Sequence, residues 1–176
     1  MTSSSEFRNE DLTPRELRAT LLGFVREFVV HAHCVDGVAR IALLGSILTP
    51  KSNPKDVDVL VTATEQCDLA PLAVLSRRLQ GRAQGLNHGA DVFLASPTSG
   101  YLGRTCRWRD CRPGVRASCD AQHCGRRPHL HDDLGTIALP PTLVHEPPVE
   151  LYPVVTVRVA LPEDVLTWLS FFATAT

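Results

Sequence analysis

The stretch LLGSILTPKSNPKDVDVLVT, Leu43 to Thr62, decides how this chain folds. It opens on the end of an apolar run that reaches Gly45-Ser46. A polar loop with Pro50 and Pro54 follows. DVDVLVT then alternates with period two, the pattern of a half-buried strand. Residues two apart on a strand share a face, so Asp56 and Asp58 project together while Val57, Val59 and Val61 point to the core. The stretch therefore predicts two strands joined by a loop, with a pair of carboxylates on one face.

Outward from it, VARIALLG supplies the first of these strands, ahead of the Gly-Ser turn. Upstream, LTPREL is a helix start. Thr13 is the N-cap, Pro14 is N1 and Glu16 is N3, a capping box, with Leu12 and Leu17 at the staple positions. Leu17, Leu21, Phe24, Val25, Phe28 and Ala32 follow helical spacing, so this helix is expected to run to His33. Asp36-Gly37 reads as a turn. Downstream, Asp68 caps a second helix with Pro71 in its first turn, ending near Gln80. ADVFLA, Ala90 to Ala95, is a third strand. Residues 12 to 95 thus read helix, strand, strand, helix, strand, an α/β unit of about the size of a minimal domain.

Beyond Ser96 the pattern changes. Residues 97 to 135 form an insert of little periodicity, rich in Cys, His and Arg. Residues 132 to 150 read as loop, with Pro140, Pro141, Pro147 and Pro148. VELYPVVTVRV reads as a strand broken or edged by Pro153. LPEDVLTWLSFFATAT reads as a closing helix with Val165, Leu166, Trp168, Leu169 and Phe172 apolar. Residues 136 to 176 are expected to complete the domain, and residues 1 to 11 to fray.

The totals bound the function. The 176 residues suit one domain, and 44% hydrophobic content suffices for a core. A formal net charge of -1 gives no global basic excess for nucleic acid. No apolar run reaches the roughly 18 residues of a membrane span. The N-terminus lacks the basic and apolar regions of a signal peptide, so a cytoplasmic location is expected. In that compartment the six cysteines are reduced thiols or metal ligands.

Two carboxylates side by side repel each other, and a divalent cation relieves that repulsion. Mg²⁺ takes oxygen ligands, commonly one or two carboxylates plus substrate phosphates. Asp91, at the start of the third strand, completes a trio if that strand lies beside the second. Two metals about 4 Å apart are a standard clamp for phosphoryl displacement. Gly45 permits close backbone approach of a ligand, and Ser46 with free N–H groups can cradle phosphate oxygens. Lys51 and Lys55 are the chain's only lysines, and both stand between that turn and the acids.

GSILTPKSNPKDVDVLV followed by GADVFLAS resembles the nucleotidyltransferase superfamily related to DNA polymerase beta. The shared pattern is a Gly-Ser turn, a polar loop, an Asp-x-Asp strand and a third acid on a later strand. Gly45 and Ser46 match the phosphate turn, Asp56 and Asp58 the metal pair, Asp91 the third carboxylate. The resemblance covers about residues 12 to 96. It implies a polymerase-beta-like α+β fold with a small mixed sheet flanked by helices, dependence on Mg²⁺ or Mn²⁺, and transfer of a nucleoside monophosphate from an NTP to an acceptor. RNA, protein and small molecules are all candidate acceptors. Many members carry a glycine shortly after the serine, where this chain has Thr49-Pro50-Lys51. The helical second domain of larger members is not evident, which leaves room for a partner subunit or a homo-oligomer.

Competing readings stand beside these. Asp56 and Asp58 also suit a loop cap and a salt-bridge partner on an edge strand, Asp91 a turn residue, and the lysines a solvated loop. Cys106, Cys111, Cys119 and Cys124 are spaced C-x4-C-x7-C-x4-C, a candidate structural Zn²⁺ site. His123, His129 or His131 can replace one ligand. Arg104, Arg107, Arg109, Arg112, Arg116, Arg126 and Arg127 make the insert basic, suited to a triphosphate or a nucleic-acid acceptor, or merely solvated around thiolates. The function class competing with an enzyme is a catalytically weak nucleotide- or nucleic-acid-binding module with a zinc-stapled interaction loop. An antitoxin-like regulatory protein docking through Trp168 to Phe172 is a third.

Overall fold

The computed structural model describes residues 12–98, 100–106, 127–131 and 135–173. Its elements run in the order α1 (Pro14–Ala32), β1 (Val38–Leu44), a 3-10 turn (Ser46–Leu48), β2 (Asp56–Ala63), α2 (Leu69–Gly85) and β3 (Gly89–Ser96). They continue with β4 (Gly100–Thr105), β5 (Leu130–His131), α3 (Pro141–His145), β6 (Val149–Tyr152), β7 (Thr156–Val157) and α4 (Glu163–Ala173). The class is mixed α+β. All seven strands join one sheet, in the order β5-β4-β3-β2-β1-β6-β7. Only β2 and β3 run parallel, joined through α2; the other pairs are antiparallel.

The helix starts obey their local chemistry. Thr13 accepts from the Glu16 N–H, and the Glu16 carboxylate accepts from the Thr13 N–H in return. The Thr13 hydroxyl, and after it the Thr13 N–H, donate to the Glu16 carboxylate and hold it below its usual range. Asp68 accepts from Ala70 at the start of α2. α2 runs five residues past Gln80, because Ala83 and Leu86 still reach the core.

The sheet has a thick face and a thin one. On the thick face, α1, α2 and α4 cover Ile41, Leu43, Val57, Val59, Val61, Val92 and Leu94. The thin face carries a smaller cluster of Ala42, Leu44, Leu60, Phe93, Ala95 and Val144. α3 lies against it, fastened by Arg40, whose guanidinium donates to the Val144 and His145 carbonyls.

Several expectations need correction. The segment after Ser96 is not irregular throughout: Gly100–Thr105 is a strand paired with β3, and Leu130–His131 pairs with it in turn. Gly100 and Gly103 have positive φ, which gave the segment the look of a loop. The sheet is therefore larger than the small one expected. The loop reading of residues 132 to 150 misses α3, begun by Pro141 at a position where proline is tolerated. Within α4, Val165, Trp168 and Leu169 are buried, but Leu166 is exposed. Among the described residues, no helix is long and apolar enough to cross a membrane.

Candidate active site

The three acids meet on the thin face, at one end of the sheet. In the parallel β2–β3 pair, Asp58 is the register partner of Asp91, and Asp56 lies opposite Gly89. In the antiparallel pair on the other side, Asp58 faces Leu44, so Gly45-Ser46 emerges at the same end. The alternation works as expected: Val57 and Val59 are fully buried against the helices, Asp56 is exposed, and Asp58 and Asp91 are half-buried.

Two glycines make room for the carboxylates. At Gly45, with φ of 83°, a Cβ would stand 2.6 Å from the Asp58 Oδ2. At Gly89 a Cβ would collide with the Asp56 Oδ1. Gly45 needs glycine for its positive φ as well as for the Asp58 carboxylate, whereas at Gly89 the clash is with the tip of the exposed Asp56 side chain, which can turn away.

Asp58 bears the electrostatic load. Burial, then the charges of Asp91 and Asp56, push its carboxyl up from 3.8 to about 7. Asp91 is met by Arg104 of β4, whose guanidinium stands 3.3 Å from the Asp91 Oδ1. Among the described residues, no three His, Cys, Asp or Glu side chains are already drawn together as a metal cage. The acids are neighbours across two strands, with a cation-seeking charge pattern, and their glycine-cleared space is consistent with oxygen ligation of a divalent ion.

The loop from Gly45 to Lys55 closes beside them. Its Ser46 Oγ accepts from the Lys55 N–H at 3.1 Å, so the Gly45-Ser46 turn is tied to the entry of β2. Thr49 Oγ1 donates to the Ser46 carbonyl at 2.7 Å. Lys51 and Lys55 are exposed, and Ser46 is half-buried. The structure thus brings Gly45, Ser46, Lys55, Asp56, Asp58 and Asp91 to one sheet end.

Of the candidate zinc ligands, Cys111, Cys119, Cys124 and His123 lie outside the described residues, as do Arg107, Arg109, Arg112, Arg116 and Arg126. Cys106 is buried, and its N–H donates to the His129 carbonyl at 2.8 Å. His131 stands on β5 opposite Arg104. Arg127 is half-buried and donates to the Thr64 and Cys67 carbonyls.

Three residues escaped sequence reasoning. Arg104 was one arginine of a basic insert, yet it partners the third acid. Its signal lay in register, which only the pairing of β3 and β4 reveals. His88, next to Gly89, is buried with its Nε2 unbonded, and burial lowers its pKa against the opposing pull of Asp56. Arg18 is buried on α1 and bonds to the carbonyls of Ile47, Thr49 and Lys51 in the loop between β1 and β2. Its signal was visible: with Leu22, Val25 and Val29 it occupies the apolar helical stripe.

No protein-family model matches the chain, and comparison with the curated proteins and with solved structures found no match.

Proposed function

We propose that the chain is a metal-dependent nucleotidyltransferase with a polymerase-beta-like fold, transferring a nucleoside monophosphate from an NTP to an acceptor hydroxyl. The observation that carries this reading is the convergence of Asp56, Asp58 and Asp91 beside the Gly45-Ser46 turn. A structural role gives no reason to gather three acids on one face and clear space for two of them with glycines.

Asp56, Asp58 and Asp91 would hold Mg²⁺ or Mn²⁺, which would offset their mutual repulsion and the charge of the triphosphate. Ser46 and the turn's N–H groups hold the β- and γ-phosphates, with Lys51 and Lys55 on the same side. Asp91 accepts the proton of the acceptor hydroxyl. The hydroxyl oxygen bonds to the α-phosphorus, the bond to the β-phosphate oxygen breaks, and pyrophosphate leaves. A structural Zn²⁺ on Cys106, Cys111, Cys119 and Cys124 belongs to the same proposal. Cys106 with the adjoining His129 would anchor it at the base of the insert.

One observation favours the second reading, a binding module with little catalysis: Asp91 is already paired with Arg104. The two separate in one experiment. Incubation with each α-labelled NTP, Mg²⁺ or Mn²⁺, and cell extract should give covalent label on an acceptor, lost in Asp58→Ala. Tight NTP binding with no label on any acceptor would select the binding module.

A further inference from the structure

Arg18 is a buried arginine on a helix that otherwise presents aliphatic and aromatic side chains to the core, and it is only 6% exposed. A buried guanidinium is costly unless its donors are matched. Here they are. Nε donates to the Asp164 Oδ2 at 2.6 Å, and Nη2 reaches the Asp164 Oδ1 at 3.3 Å. Nη2 also donates to the Ile47 carbonyl at 2.8 Å. Nη1 donates to the carbonyls of Thr49 at 3.1 Å and Lys51 at 2.7 Å. The planar fork of five donors is fully used.

The three carbonyls belong to alternate residues of one loop, the loop that begins at Ser46 and carries Lys51. Their oxygens are all turned to the guanidinium. The fourth partner comes from α4, 146 residues along the chain. A helix remote from the acids is thereby joined to the phosphate turn through one side chain. Lysine cannot replace it, since a single ammonium lacks the fork geometry that spans three carbonyls and a carboxylate.

We propose that Arg18 is the positioning residue of the triphosphate loop, and that Asp164 orients Arg18 for that task. The proposal rests on the nucleotidyltransferase reading. Arg18 touches no substrate; it fixes the backbone from which Ser46 and Lys51 reach the β- and γ-phosphates. A loop held this way selects for triphosphate over monophosphate, whereas simple support of the core does not discriminate between them.

The test compares wild type, Arg18→Lys, Asp164→Asn and Asp164→Glu. Each is titrated with ATP, GTP, CTP and UTP in Mg²⁺, and then with the monophosphate of the base bound most tightly. Backbone hydrogen exchange is followed in the nucleotide-free protein. Arg18→Lys should lose about tenfold or more in triphosphate affinity, with monophosphate affinity unchanged. Asp164→Asn should lose about two- to fivefold, and Asp164→Glu should recover most of it. Exchange at Leu48, Thr49 and Lys55 should quicken in Arg18→Lys and Asp164→Asn, while β1 and β2 stay protected. The asparagine variant keeps every loop bond to Arg18, so it reports even if Arg18→Lys folds poorly. Equal losses for triphosphate and monophosphate would overturn the inference, as would unchanged loop exchange. Absence of triphosphate binding by the wild type would sink the nucleotidyltransferase reading and the inference with it; loop exchange would still show whether Arg18 braces the loop.

Discussion

Replacing Asp58 by asparagine should make the metal-free protein more stable at alkaline pH, although it removes a proposed site residue. In the folded chain the Asp58 carboxyl gives up its proton near pH 7 instead of 3.8, because it is partly buried and faces Asp91 and Asp56. At about 1.4 kcal/mol per pH unit, ionising it in place costs roughly 4 kcal/mol. The side chain keeps some solvent contact and salt screens its neighbours, which brings the expected figure to about 2 kcal/mol. The sign follows from proton counts. Between pH 3.8 and 7 the unfolded chain has released this proton and the folded chain retains it, so wild-type stability falls as pH rises through that window. Below the window both states are protonated and nothing is lost. Urea denaturation in chelator, followed by far-UV circular dichroism from pH 3.5 to 8.5, reads this directly. Asp58→Asn should match the wild type at the acid end and exceed it by about 2 kcal/mol at the alkaline end. Adding Mg²⁺ should raise the wild type's midpoint and leave the variant's nearly unchanged. A variant no more stable than wild type at pH 8.5, or a difference that does not vary with pH, would refute the argument.

Other perturbations separate the site from its frame. Gly89→Ala places a methyl where the Asp56 carboxylate lies, so that side chain must turn away; Mn²⁺ affinity should drop several-fold while stability changes by less than about 1 kcal/mol in thermal unfolding. Gly103→Ala meets both a φ of 138° and the His131 carbonyl, and should cost more than about 1 kcal/mol by the same measurement, since backbone has to move. Thr13→Ala removes the capping box and should cost about 1 kcal/mol by urea denaturation, with nucleotide titration unaltered.

The elements legible in the sequence are those whose signals are local. Thr13, Glu16 and Asp68 announce their helices by capping chemistry that needs no tertiary context. The valines of DVDVLVT declare a strand and a buried face, and with them the face on which Asp56 and Asp58 lie. Asp91 needed one further fact, the parallel pairing that sets it beside Asp58. What stayed hidden depends on partners distant in the chain. β4 contains Gly100 and Gly103 and has weak strand propensity of its own; pairing with β3 makes it a strand and brings Arg104 to Asp91. α3 is a single short helix that rests on the thin-face cluster and on bonds from Arg40. The helical stripe marks Arg18 as buried, but its partners, Asp164 and the loop carbonyls, emerge only from the fold.

The most direct test of the central claim is a crystal of the protein grown with Mn²⁺ and a non-hydrolysable NTP analogue, measured for anomalous scattering. The account predicts a manganese peak bound by the carboxylates of Asp56 and Asp58, at metal–oxygen distances of about 2.0–2.3 Å. The triphosphate should lie against the N–H groups of Gly45 and Ser46. Manganese elsewhere, or a triphosphate bound away from the Gly45-Ser46 turn, would contradict it.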